Sequence, residues 1–291
     1  YAKRACSRQM TSSLAPRHNR ILWTVRVNLM IDPIKHEAVF PSAEWNLSRT
    51  PIHCFGAGAV GSKVTLGIMK LGIEGKLFNT YDYDWIEPQN IACQAYDLRQ
   101  LPDSDGTLPP NAAHVYKVDA LRQRCREATG EEINTARMKV CDPADLAATT
   151  PRSLAGVVFL LTDSVKSRRS IFEHAIIGNS AIQQVIETRL GLEKLEIYCF
   201  DPRVPDHRDR WLDSLPLSDA DVVRSQVGTC NGEESLGFLS DILAGKAVLQ
   251  FVQWYRRKLD PKHSDVGGGA SSFANFAQYF PWTDNTVRAT W

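Results

Sequence analysis

The chain has 291 residues with 34 basic and 33 acidic side chains, a formal net charge of +1, and 43% hydrophobic residues. Such a balance fits a soluble globular protein with a real core and argues against nucleic acid or a membrane surface as the main partner. No uninterrupted apolar run reaches the roughly 18 residues that a bilayer span needs.

Seven cysteines, at 6, 54, 93, 125, 141, 199 and 230, are dispersed without a C-x-x-C pair. The pattern reads as reduced thiols of a cytoplasmic protein, and it offers no metal-ligand spacing. The first 26 residues contain basic side chains and no acidic one. They read as a solvated N-terminal arm, with the remnant of a targeting segment as the alternative.

In chain order, "IHCF" (52–55) is a short apolar strand that ends directly in "GAGAVG" (56–61). From Val60 the apolar residues recur at helical spacing through Val64, Leu66, Ile68 and Leu71, and Gly72 is the stop. "KLFNTYD" (76–82) is a second strand. These pieces make a β–glycine loop–α–β unit, the opening of a Rossmann-like, doubly wound α/β fold with a mainly parallel sheet and helices on both faces. Further along, 101–113 reads as a loop and "HVYKVDALRQRCREATG" (114–130) as an amphipathic helix. "EINTARMKV" is a strand, and "GVVFLLTD" (156–163) is a strand buried on both faces. "SVKSRRSIFEHAIIGN" is a helix, followed by the strands "AIQQVIETRLG" and "EKLEIYCF". Residues 202–234 read as a polar loop, 236–259 as a long helix, and the tail from Asp260 as holding one last strand.

The glycine loop carries the first functional signal. Gly56 permits the tight turn, Gly58 lets a phosphate approach the backbone, and Gly61 lets the helix pack on the strand. The helix N-terminus then faces the anion with free N–H groups. Asp82, about 20 residues further on, stands where an acid accepts from a ribose hydroxyl. The loop serves NAD and ATP alike, and a structural turn glycine or a capping Asp would look the same.

Four motifs in order separate these readings: "GAGAVG", "DYD" with "NIACQ", "HVYKVDAL" and "FLLTDSVKSRR". From about Cys54 to Pro205 the chain resembles the ThiF/MoeB/HesA family, the adenylating fold shared with ubiquitin-activating enzymes. The resemblance implies three regions: residues 1–50 as an arm and helical lead-in, 51–260 as a nucleotide-binding adenylation domain, and 261–291 as a tail. It implies ATP and magnesium as cofactors, and attack on the α-phosphate by the C-terminal carboxylate of a ubiquitin-like or sulfur-carrier protein. It also implies a homodimer or a pairing with a similar subunit. By the same resemblance Asp163 holds magnesium, Lys117 contacts the phosphates and Asp82 the ribose. Asp84, Asn90 and Gln94 surround the nucleotide, and Arg168 is a structural arginine behind the magnesium acid.

Two departures stand out. Cys93 occupies the place of the family's triphosphate-binding arginine, whose charge a thiol cannot supply; Arg99 is a candidate substitute. The zinc-binding cysteine pairs of many relatives are missing. Cys230 lies in the region where thioester-forming relatives carry their thiol, and a site near a helix N-terminus would favour the thiolate. Two alternatives remain: a catalytically weakened scaffold subunit that holds the protein partner, and an NAD-dependent oxidoreductase. The latter explains the glycines and Asp82 but not Lys117 or Asp163.

Overall fold

The structure, a computed structural model, describes residues 40–97, 115–139, 154–191, 194–217, 237–259, 275–280, 283 and 285–290. The N-terminal arm, the loop read at 101–113, Arg99, Cys230 and the start of the tail lie outside the described residues. The elements in chain order are α1 (Ser42–Ser48), β1 (Ile52–Phe55), α2 (Ala59–Met69), β2 (Phe78–Tyr81), α3 (Lys117–Thr129), β3 (Asn134–Ala136), β4 (Gly156–Leu160) and α4 (Val165–Ile171). They continue with β5 (Ile182–Leu190), β6 (Leu195–Phe200), α5 (Pro205–Ser214), α6 (Gly237–Leu259), β7 (Asn275–Phe280) and β8 (Asn285–Thr290).

The strands form one sheet of order β3-β2-β1-β4-β5-β6-β7-β8. β3, β2, β1, β4 and β5 pair in parallel, whereas β6, β7 and β8 add successive antiparallel pairs. The order runs outward from β1 in both directions, so β1 and β4 flank the topological switch point where ligand crevices form at the carboxyl edge.

Side chains alternate between two cores with the strand period of two. On one face Ile52, Cys54, Val157, Phe159, Leu195, Ile197 and Cys199 pack with α1, α2, α3 and α6. On the other, Phe55, Val158, Leu160, Tyr198 and Phe200 pack with α4, its closing π-turn and α5. The first core is plugged by aromatic rings: Phe40 lies 4.9 Å from Tyr255, and Trp45 meets Phe251 edge-on at 5.2 Å. α6 packs along α2, β5 and β6.

Two expectations need correction. The span read as a polar loop contains α5, which starts on Pro205 and buries only His207 and Trp211. Proline at the first helical position is favourable because its missing N–H would have no partner there. The tail holds two strands, β7 and β8, where one was read.

The turn from β1 into α2 is as tight as a backbone allows. Gly56 takes φ +102°, and a Cβ on Gly61 would lie 1.9 Å from the Gly56 carbonyl oxygen. Gly61→Ala is therefore expected to lose about 1–3 kcal/mol through overpacking, read as a lowered midpoint in urea unfolding. An unchanged midpoint would show that the loop relaxes freely.

Candidate functional site

Where β1, β2 and β4 end, the loops that follow them enclose a cavity of about 580 Å³, within the ordinary range for small-ligand sites. Its wall gathers Gly56, Gly58, Asp82, Asp84, Asn90, Gln94, Lys117 and Asp163, residues from four separate segments of the sequence. Arg168 lines it as well. Gly61 lies behind the wall, where it lets α2 close on the loop. Cys230 lies outside the described residues.

Asp82 knits the site together. One carboxylate oxygen accepts from the Ala57 N–H at 2.6 Å and the other from the Asp84 N–H at 2.9 Å. Burial pushes its carboxyl above the usual range, against the pull of Lys117 and those two N–H groups. The glycine loop is also braced from 90–97: the Tyr96 hydroxyl donates to the Ala57 carbonyl at 2.6 Å, and the Ala95 N–H donates to Ser62 Oγ at 3.0 Å. Gly58 has nothing within 4 Å of where its Cβ would stand. The backbone there is open to a ligand, and the N-terminus of α2 begins at the next residue.

Lys117 is the first residue of α3 and is largely buried. Its Nζ pairs with Asp84 Oδ2 at 3.1 Å. Burial works to lower its pKa, but the carboxylates of Asp82, Asp84 and Asp163 overcome it and hold the ammonium above its ordinary value. The side chain is thus a fixed cation.

Asn90 and Gln94 are buried and reach the same cavity by different routes. Asn90 Oδ1 accepts from the Glu87 N–H at 3.0 Å and so caps the short turn it belongs to. Gln94 Oε1 is buried with no hydrogen-bond partner among the described residues, as is Oγ1 of Thr162, another wall residue. A buried polar atom left unpaired is costly. Cys93, by contrast, is buried within the turn, its thiol within reach of the Gln89 and Asn90 carbonyls at 3.9 and 3.7 Å. Above it Ser240 Oγ donates to the Cys93 carbonyl at 3.1 Å, and Lys63 Nζ holds the Gly237 carbonyl at 2.9 Å, which docks α6 against this loop.

Several wall residues were given no role by the motifs. Glu87, Met138 and the exposed rings of Tyr83 and Trp85 are among them. The alternation of Tyr83 and Trp85 with Asp82 and Asp84 was the available signal, since an extended segment there pairs with 115–117 through Ile86 and Lys117 N–H groups.

On β1, His53 Nδ1 lies 2.9 Å from the hydroxyl of Tyr81, a wall residue, and Nε2 is buried with no partner among the described residues. Burial drops the imidazole pKa from 6.5 to about 4. The neutral ring is favoured in the fold, so its contribution is complete above pH 6.5 and is lost as pH falls toward 4. That loss is expected to total about 3 kcal/mol. Urea unfolding from pH 7 to pH 3.5 should show it, and His53→Asn should lose less stability to acid by that amount. An identical acid slope in the variant would overturn the assignment.

No protein-family model matches the chain, and no curated protein does so closely enough to count. Solved structures do match. E. coli MccB superposes at a TM-score of 0.54 with 10% identity, covering 94% of this chain and 70% of MccB. E. coli MccB with ATP gives 0.53 and 10%, covering 84% of this chain, which spans 65% of that MccB chain. PaaA gives 0.51 and 14%, covering 97% and 86%. At these identities the likeness is one of architecture: the chain has the Rossmann-like α/β fold that MccB and PaaA share.

Proposed function

We propose that the chain is an ATP- and magnesium-dependent adenylating enzyme of the ThiF/MoeB/HesA type, acting on the C-terminal carboxylate of a ubiquitin-like or sulfur-carrier protein. The observation that carries this reading is the cavity that joins Gly56, Gly58, Asp82, Lys117 and Asp163 at the carboxyl edge of the sheet. E. coli MccB has been crystallised with ATP, and with AMPCPP and MccA together, which supports the reading. The same reading carries a cytoplasmic setting and a second subunit, either another copy or a similar chain.

The chemistry suits the residues. A carboxylate oxygen of the partner forms a bond to the α-phosphorus while the bond to the bridging β-phosphate oxygen breaks, and pyrophosphate leaves with its electron pair. A carboxylate is already nucleophilic, so no base is needed, and positioning and charge stabilisation supply the rate. Asp82 would accept from the ribose, the open backbone at Gly58 would take the phosphates, and Lys117 would balance their charge.

Among the described residues no three His, Cys, Asp or Glu side chains form a ready-made metal cage. Magnesium does not need one: one or two carboxylates with phosphate oxygens and waters are its usual donors. The exposed carboxylate of Asp163 in the cavity wall fits that set. Bound there, magnesium would neutralise charge developing on the phosphates.

One observation favours the weaker alternative of a scaffold subunit. Among the described wall residues the cations are Lys117 and Arg168, and Arg168 is taken up by Glu187 at 2.8 Å. The buried Cys93 adds none.

Calorimetry with magnesium-ATP and with NAD in parallel separates the readings. Magnesium-ATP is expected to bind and NAD not to. Asp163→Ala is expected to keep the fold and slow pyrophosphate exchange by about 100-fold or more. Binding of neither nucleotide favours the scaffold, and undiminished exchange in the variant removes the metal role from Asp163.

Cys230 is proposed as the thiol that receives the acyl group from the adenylate: its thiolate sulfur bonds to the acyl carbon as the acyl–phosphate C–O bond breaks and AMP leaves with the electron pair. A partner conjugate cleaved by reducing agent should form in the wild type and vanish in Cys230→Ala, while adenylate still accumulates. A conjugate that survives the substitution assigns the thiol elsewhere.

A further inference from the structure

β5 carries a carboxylate where an apolar residue would be expected. Glu187 is completely buried in the middle of the strand, and no sequence motif marks it. Its oxygens are consumed by two buried arginines. Oε1 pairs with a terminal guanidinium nitrogen of Arg168 at 2.8 Å and with Arg189 Nε at 3.1 Å, and Oε2 accepts from Arg189 Nε at 3.2 Å.

Each arginine then grips something else. Arg189 donates to the Ser214 carbonyl at 2.7 Å, to Ser214 Oγ at 2.9 Å and to the Tyr198 hydroxyl at 3.2 Å, and its guanidinium lies over the Tyr198 ring. It is anchored to the end of α5 and to β6. Arg168 Nε donates to the Thr162 carbonyl at 2.8 Å. Thr162, Asp163 and Ser164 form the turn after β4 that lines the cavity.

A buried ion triad is a poor stabiliser, because desolvation offsets the attraction and apolar side chains of the same volume often do as well. Here it has a directional consequence. Arg168 and Asp163 both line the cavity. Without a buried anion behind it, Arg168 would be drawn to the cavity carboxylates. With Glu187 in place its charge is satisfied from behind, and its Nε fixes the carbonyl just before Asp163.

We propose that Glu187 is a positioning residue. Backed by Arg189, it holds Arg168 on the Thr162 carbonyl and away from the Asp163 carboxylate, which is left to a divalent cation on the nucleotide. This rests on the adenylating reading above.

The test uses the full chain and calorimetric titration of ATP, first without divalent cation and then with increasing magnesium, with circular dichroism to follow folding. Glu187→Gln is expected to bind metal-free ATP within about twofold of wild type, while the magnesium concentration for half-maximal enhancement rises about tenfold. A purely structural role would move both affinities in step with the melting temperature, and that result overturns the proposal. Should Glu187→Gln fail to fold, Glu187→Asp keeps the charge on a shorter arm, and the same split between the two affinities decides. The wild-type titration distinguishes the two ways of failing. No magnesium enhancement in the wild type defeats the adenylating reading and this proposal with it. Enhancement that persists unchanged in a folded variant defeats this proposal alone.

Discussion

Everything at the carboxyl edge of the sheet is referred to one carboxylate. Asp82 accepts the N–H of Ala57 in the glycine loop and that of Asp84 two residues on, so one side chain adds to the backbone ladder of β1 and β2 a tie between the segments that follow them. From there the constraints propagate through the backbone. The Asp84 carbonyl accepts from the Lys117 N–H at 2.9 Å, which sets where α3 begins and where its first side chain points its charge. The Asp82 carbonyl accepts from Met138 at 3.2 Å, which brings the end of β3 to the wall. A carboxylate making such bonds at the edge of a core pays in desolvation. The site tolerates this because charge-assisted bonds to N–H groups are roughly twice as strong as neutral ones.

The electrostatics that result would be unusual for a cavity that takes a polyphosphate, as proposed above. Four carboxylates, Asp82, Asp84, Glu87 and Asp163, share the wall with Lys117 and Arg168. The acids keep Lys117 charged in a place where burial alone would favour the neutral amine. An anion arriving there competes with Asp84 for the ammonium, so affinity depends on how readily that pair opens. The surplus of acid makes an accompanying cation part of any favourable complex, whichever partner supplies it.

What could be read from the sequence follows from the kind of force involved. β1, the glycine loop, α2 and β2 were legible because a short apolar run gives way to apolar residues at helical spacing across a glycine signal, and those local cues agree with the packing. α5 was not, since five of its ten residues are Asp or Arg and its buried side chains number only two, spaced one turn apart. Proline at its start was the single usable cue. The motif residues were found by order along the chain, which is a proxy for the sheet edge they share. Glu187 and Arg189 were invisible for the opposite reason: charges in a strand read as solvent-facing, and only the three-dimensional arrangement reveals that they neutralise each other in the interior. The thiol at 93 and its neighbours are governed by the docking of α6, a contact between segments far apart that no local pattern encodes.

The antiparallel pairs at the end of the sheet have a consequence for how the protein is made. All six residues of β6 are buried, and its outer edge is covered by β7, which enters the chain about 75 residues later. At ribosomal rates that interval lasts on the order of ten seconds. During it the nascent segment Leu195–Phe200 is a strand, apolar but for Glu196, whose amide groups on one side have no mate, the form of edge that recruits strands from other molecules. The last hairpin is therefore a seal, and a chain cut short before it would be prone to aggregate with every site residue already synthesised.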